Sequence, residues 1–191
     1  GFARKSTFRE YVESIGLAVL IALLLRAFVI EAFKIPSGSM IPTLRVGDHI
    51  FVNKFSYGLR MPFTKWWFWE GRAPERGDVV VFMFPEDESK DFIKRIVAIP
   101  GDTMELRDHE LMVSDAEGRR VDVGRNVLPE RFSYVEQDLA LQGRPGERID
   151  AVAVEETLGE TSFTTLQSPH SGRGNFGPVT VREGHVFVLG D

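Results

Sequence analysis

Apolar residues follow two different patterns along this chain, and the change falls near residue 35. Ile15 to Ile30 reads IGLAVLIALLLRAFVI, apolar except for Gly16 and Arg26. A helix that is apolar on every side is not an ordinary surface helix. The run therefore predicts a transmembrane helix over residues 14–31, after a short N-terminal segment, residues 1–13. At about 1.5 Å per residue it is slightly short for a ~30 Å hydrocarbon core, and Phe33, Ile35 and the stem of a snorkelling Arg26 would extend it. A buried core helix and a cleaved signal peptide are the competing readings. A core helix normally keeps a polar face over three turns. A signal peptide has a shorter apolar region and an Ala-x-Ala-like site, where this chain has IEAFKIPSGSM. Arg4, Lys5 and Arg9 precede the run, opposed by Glu10 and Glu13. That bias places residues 1–13 in the cytoplasm and residues 32–191 outside.

Beyond Ile35 the pattern is that of strands. Pro36, Gly38 and Pro42 break any helix. His49 to Val52 reads as a strand entered through a Val46-Gly47-Asp48 turn. Asp78 to Phe84 (DVVVFMF) is almost continuously apolar, as in a buried strand, and Phe92 to Ile99 (FIKRIVAI) is closed by Pro100-Gly101-Asp102. Met104–Leu106 and Leu111–Val113 read as a hairpin. Val121–Val123, Val179–Val181 and Val186–Leu189 read as further strands. The whole predicts a mainly β domain of short antiparallel strands. Residues 124–178 are polar, with scattered glycines, and read as an insertion or peripheral region. There is no internal repeat and no low-complexity tract.

Composition narrows the function classes. The 191 residues are 43% apolar, enough for a real core, and the net charge of −5 mixes both signs. With no basic stripe, nucleic acid is not an expected partner. Cysteine is absent, which removes disulfides, thiolate metal sites and cysteine nucleophiles together. The chain begins at Gly1 and stops at Gly190-Asp191 just after an apolar run. Both ends read as cut, so the expected β domain is incomplete at its C-terminus.

The candidate chemistry lies just after the apolar segment. In Pro36-Ser37-Gly38-Ser39-Met40-Ile41-Pro42-Thr43, two prolines and a glycine stiffen a turn around two serines. A serine needs a neighbouring base to become a nucleophile. His49, His109, His170 and His185 all lie in polar or turn contexts. Lys94 offers an alternative. Alternation places Phe92, Lys94 and Ile96 on one strand face. Desolvation between Phe and Ile disfavours the ammonium and lowers the lysine pKa, and a neutral lysine can take a proton from a serine. Arg95 faces the other way. The bland readings are an edge strand with an outward lysine and a rigid turn without chemistry. The two motifs together with the apolar segment favour a serine–lysine pair.

At this point the residues resemble bacterial signal peptidase I. The matching blocks are Ile35-Pro36-Ser37-Gly38-Ser39-Met40 through Leu44, Gly47-Asp48 with Val52 and Lys54, Arg76-Gly77-Asp78-Val79-Val80-Val81-Phe82, Ile93-Lys94-Arg95-Ile96-Val97 with Pro100-Gly101-Asp102, and Gly190-Asp191. They cover residues 14–102 and the last few residues. The resemblance implies a membrane-bound serine endopeptidase that removes N-terminal signal peptides from exported preproteins. It implies Ser39 as nucleophile, Lys94 as general base, and the Ser37 hydroxyl with the Ser39 backbone N–H as oxyanion hole. It also implies shallow apolar substrate pockets from Phe33, Ile35, Pro36, Met40, Leu44, Phe92 and Ile93, and an acid, Asp191, paired with Arg95. No cofactor or metal is implied. The implied partners are signal peptides and membrane lipid, in a bacterial cytoplasmic membrane crossed once. The family's last box continues past Gly190-Asp191 with a serine, an acid and an arginine that brace the lysine.

Further expectations concern topology and rival readings. Only five residues separate Ile30 from Pro36, which keeps the serines within about 20 Å of a membrane surface. The segment Met61 to Trp69 holds all three tryptophans and reads either as an interfacial loop or as one packed on the domain. Soluble serine/lysine self-cleaving repressors are one rival, opposed by the apolar segment. A membrane-tethered binding or scaffold homologue with an inactive dyad is the other.

Overall fold

The computed structural model describes residues 7–60, 67–135, 148–168 and 175–191. The chain divides into two compact units, Gly1–Phe33 with His49–Ala73, and Lys34–Asp48 with Pro74–Asp191.

The first unit holds helix α1 (Thr7–Phe28) and strands β1 (Ile30–Lys34), β2 (His49–Asn53), β3 (Gly58–Arg60) and β4 (Trp67–Glu70). β1 pairs with β2, and β3 with β4. Among the described residues no helix is long and apolar enough to cross a membrane. The helix differs from the expected span 14–31 at both ends. It starts earlier, on a polar turn where Arg9 Nε meets Glu13 Oε1 at 2.8 Å. It stops at Phe28, because Ile30 and Glu31 are drawn into the β1–β2 ladder and the Val29 carbonyl accepts from the Lys54 N–H at 3.0 Å. The helical part of the apolar run, Ile15 to Phe28, rises only about 21 Å at ~1.5 Å per residue. Trp66 lies outside the described residues, while Trp67 and Trp69 fall in β4.

The second unit is built of antiparallel strands, as the short strand-like runs predict. β5 (Val79–Phe84), β6 (Asp87–Ala98) and β13 (Phe187–Leu189) form one three-stranded sheet in the order β13-β6-β5. β7 (Thr103–Arg107), β8 (Glu110–Ser114) and β12 (Phe176–Thr180) form a second, ordered β12-β7-β8. β9 (Val123–Val135), β10 (Arg148–Leu158) and β11 (Thr161–Gln167) form a third, ordered β11-β10-β9. Val97, Ala98, Met104, Leu111, Val113, Leu158 and Val181 make one buried core drawn from several of these strands.

Two expectations need correction here. β5 is not a buried strand, since Val79 and Met83 are exposed; their side of the hairpin faces outward. The described part of residues 124–178, read as an insertion or peripheral region, is rich in strands. It holds β10, which pairs with β9 over nearly its whole length and with β11 from Val152 to Leu158, and which buries Ala151, Ala153, Val154 and Leu158. β6 also begins earlier than Phe92. Its polar half, Asp87 to Asp91, is the exposed arm of the hairpin with β5.

One turn recurs at the entrances to strands in this domain. At Gly47-Asp48, Gly77-Asp78 and Gly101-Asp102 the glycine has φ of 93°, 91° and 90°, a region that favours glycine. Each aspartate carboxylate accepts the N–H three residues earlier, from Arg45, Glu75 and Ile99, at 2.9 Å. Each turn also exchanges backbone hydrogen bonds with a neighbouring segment, at Ile35, Ile96 and Val181 respectively. These three Gly-Asp pairs are therefore turn chemistry that sets where strands begin.

Candidate active site

The serine loop is held shut at its base. The Ile35 N–H donates to the Asp48 carbonyl and the Gly47 N–H to the Ile35 carbonyl, both at 2.9 Å. Inside it the Ile41 N–H bonds the Gly38 carbonyl at 3.1 Å and the Leu44 N–H the Met40 carbonyl at 2.7 Å. Ile35 and Met40 are buried at 3% and 2% exposure, which fixes the loop to the protein on either side of the serines. The Ser37 and Ser39 hydroxyls, both half-buried, lie 3.5 Å apart.

β6 carries the lysine. Lys94 is half-buried, opposite Val80 of β5, while its neighbours along the strand face are half-buried Phe92 and fully buried Ile96. β13 runs along the other edge of β6 with Leu189 opposite Arg95. The next residue, Gly190, is where serine loop and lysine meet. A Cβ placed on Gly190 would overlap the Ser39 carbonyl oxygen and lie 3.3 Å from Lys94 Nζ. Only a residue without a side chain lets the three segments approach so closely.

Arg95 lies on the opposite face and is 5% exposed. Its Nε and Nη2 donate to the two Asp191 carboxylate oxygens at 2.7 and 2.5 Å, and its Nη1 to the Gly77 carbonyl at 2.9 Å. This two-pronged geometry is the strong form of an arginine–carboxylate pair. The Thr43 hydroxyl, from the serine loop, donates to Asp191 Oδ2 at 2.5 Å. Asp191 thus ties the serine loop to the lysine strand. A second such pair joins Arg76 to Asp102, Nε to Oδ2 at 2.7 Å and Nη2 to Oδ1 at 2.5 Å, and the hydrogen bond to Asp102 holds the Arg76 guanidinium above its ordinary pKa.

The structure brings Ser37, Ser39, Lys94, Arg95 and Asp191 into one region of the second unit. The expected pocket residues are more scattered in character. Ile35, Met40 and Ile93 are buried, Leu44 and Phe92 half-buried, and Pro36 exposed. Phe92 already stacks on Phe84 at 4.5 Å and meets Phe82 edge-on at 6.2 Å. Phe33 belongs to the other unit. His49 and His185 are exposed, His109 sits in the β7–β8 turn, and His170 lies outside the described residues. Sequence reasoning gave no role to Thr43, although it quoted that stretch. It also missed Phe163 of β11, whose ring lies 4.1 Å from the Arg95 guanidinium carbon. No local signal marks Phe163, because the contact spans 68 positions of chain.

A cavity of about 220 Å³ opens beside the ion pair, walled among others by Arg95, Asp191, Phe163, His109 and Glu156. Glu156 is 7% exposed. Burial pushes its carboxyl above the ordinary value of 4.5; the Arg125 charge draws it down, the Asp191 charge pushes it up, and a hydrogen bond with Thr165 draws it down, with a net rise. Between 4.5 and the raised value the folded protein holds a proton that the unfolded chain has lost. Stability therefore falls as pH rises through that window and is level above it. Glu156→Gln should match the parent in denaturant midpoint at pH 4 and exceed it at pH 8. A difference that does not change with pH would contradict this.

Comparison with known proteins places this geometry. The family model described as signal peptidase, peptidase S26, matches residues 8–191. The signal peptidase I of Pseudomonas fluorescens is 46% identical over 183 residues, which is 95% of this chain and 58% of that protein. That of Pseudomonas aeruginosa is 35% identical over 185 residues, again 95% of this chain and 58% of the relative. That of Rickettsia canadensis is 34% identical over 203 residues, 98% of this chain and 70% of the relative. The chain thus spans less than two thirds of the length of the two Pseudomonas relatives. A β domain that gathers the paired serines, the lysine and the Gly-Asp pair at one place, matched to the family over nearly all its length, belongs to the signal peptidase family, peptidase S26.

Proposed function

We propose that this protein is a serine endopeptidase that removes N-terminal signal peptides from exported preproteins, with Ser39 as nucleophile and neutral Lys94 as general base. The observation that carries the reading is the meeting of Ser39 and Lys94 at Gly190. Lys94 takes the Ser39 hydroxyl proton as Oγ attacks the scissile carbonyl. The Ser37 hydroxyl and the Ser39 backbone N–H donate to the oxygen that becomes negative. The intermediate collapses to an acyl-enzyme, and the Lys94 ammonium returns its proton to the leaving amine. Water then attacks the ester, Lys94 again accepting the proton, and Ser39 is released. Ile35, Met40, Leu44, Phe92, Ile93 and Pro36 supply shallow apolar pockets, which suits small side chains beside the cleaved bond.

Helix α1 anchors the protein in the bacterial cytoplasmic membrane, as a single pass with the β domain on the extracytoplasmic side. Support comes from its exposed apolar surface, with Ile15 61%, Leu17 58% and Leu23 59% exposed, and from the basic residues before it. Lipid that covers such a helix removes that surface from water. Trp66, Trp67 and Trp69 supply an interfacial contact, and the natural partners are signal peptides and lipid.

The test is to incubate the protein in detergent micelles with a preprotein bearing its signal peptide and to map the product by mass spectrometry. One cut after a small residue is expected, at a rate that rises with pH as Lys94 loses its proton. A rate level from acid to alkaline pH would overturn Lys94 as base, and absence of any cut would favour a binding role.

A further inference from the structure

The hairpin of β10 and β11 has no part in the reaction written above, yet β11 touches the back of the site at three places. At its start Thr161 packs on Gly77, so closely that a Cβ on Gly77 would lie 2.6 Å from the Thr161 Cβ and Oγ1. Gly77 is the residue whose carbonyl accepts from Arg95 Nη1. Two residues on, the Phe163 ring covers the Arg95 guanidinium at 4.1 Å. Near its end the Leu166 backbone N–H donates to the Asp191 carbonyl at 3.1 Å. Each contact lands on a member of the ion-pair assembly. Two of those members adjoin the reactive groups: Arg95 follows Lys94 in the chain, and Asp191 follows Gly190, which abuts Ser39 and Lys94 Nζ.

We propose that Phe163, carried by the β10–β11 hairpin, is a positioning residue that holds the Arg95–Asp191 pair, and through it Lys94 and Gly190, in the reactive arrangement. The inference rests on the Ser39–Lys94 reading and deepens it. The physical reason is twofold. A guanidinium over an aromatic face is attracted by the ring quadrupole, so the ring sets the plane of Arg95 and hence the direction of its prongs. The ring also keeps water from a pair whose side chains are 6% and 1% exposed, and the drier surroundings strengthen their attraction. Without the ring, water reaches Arg95, the prongs loosen, and the part of β6 that carries Lys94 and the chain at Gly190 gain freedom. Displacement of reacting groups by about 1 Å costs on the order of 100-fold in rate. A partial loosening is expected to cost about tenfold.

Phe163→Leu keeps apolar bulk and removes the ring, whereas Phe163→Tyr keeps the ring. Both are assayed on a signal-peptide substrate, with thermal unfolding measured alongside. Phe163→Leu is expected to lower kcat about tenfold with KM unchanged within about twofold, and Phe163→Tyr to retain near-parent kcat. On an Arg95→Lys background the Phe163→Leu loss should shrink, because the partner of the ring is altered. Parent kcat in Phe163→Leu would overturn the proposal. Equal losses in Phe163→Leu and Phe163→Tyr, tracking a fall in unfolding temperature, would overturn it too, since packing alone would then explain them. Cleavage at the parent rate by Ser39→Ala would instead overturn the Ser39–Lys94 reading, an outcome separate from anything the Phe163 series produces.

Discussion

Ser39→Ala and Lys94→Ala should each lower kcat for preprotein cleavage by on the order of 10⁴-fold or more, and the double substitution should be no worse than either alone. The hydroxyl is inert without a base, and the base has no proton to take without the hydroxyl. In the proposed mechanism the two act as a unit, so their losses should not add. KM should change little if, as proposed, substrate binding falls to the apolar residues around the loop. Steady-state kinetics on the single and double variants checks this. Ser37→Ala belongs to the same series and should cost less, since under the proposed mechanism it removes one oxyanion donor and leaves the nucleophile in place. Additive losses in the double variant would mean that Ser39 and Lys94 work in separate steps.

Arg95→Met should destabilise the protein by about 3–5 kcal/mol, measured by denaturant unfolding at neutral pH. Arg95 and Asp191 have side chains 6% and 1% exposed, so removal of the cation leaves a carboxylate desolvated and unpaired. The Gly77 carbonyl and the Thr43 hydroxyl lose a hydrogen-bond partner in the same step. Arg95→Met with Asp191→Leu should recover much of the loss, because two apolar side chains of similar size avoid the cost of burying charge. Activity should not recover with stability in that double variant. The apolar pair can fill the space, but it cannot tie Thr43 of the serine loop to the strand that carries Lys94. A double variant that is both stable and fully active would show that the pair serves only the fold.

Much of this was legible along the chain. Short apolar runs marked β2, β7, β8 and β13, and glycine before aspartate marked the turns that begin β2 and β7, because both signals are local. Two prolines around paired serines marked the loop. The third sheet was not legible. β10 buries Ala151 and Ala153, too small to stand out as a core pattern, and it carries Glu156 inside the fold, where a charged residue reads as surface. β9 contains Gly124 and Pro129, which argue against a strand unless partners are known. The end of α1 was misjudged for a related reason. Nothing in the apolar run says that Ile30 will leave the helix to pair with β2.

The sequence by itself determined the chemistry on offer: two serines in a stiff turn, a lysine flanked by Phe92 and Ile96, no cysteine, and an apolar segment just before them. These follow from residue type and short spacing. Tertiary structure decided how the groups meet. Gly190 lets Ser39 and Lys94 approach across 55 positions of chain, Asp191 reaches back to Arg95 and Thr43, and Phe163 closes over Arg95. Those contacts join segments that share no local pattern, so their cause is the packing of whole strands against one another.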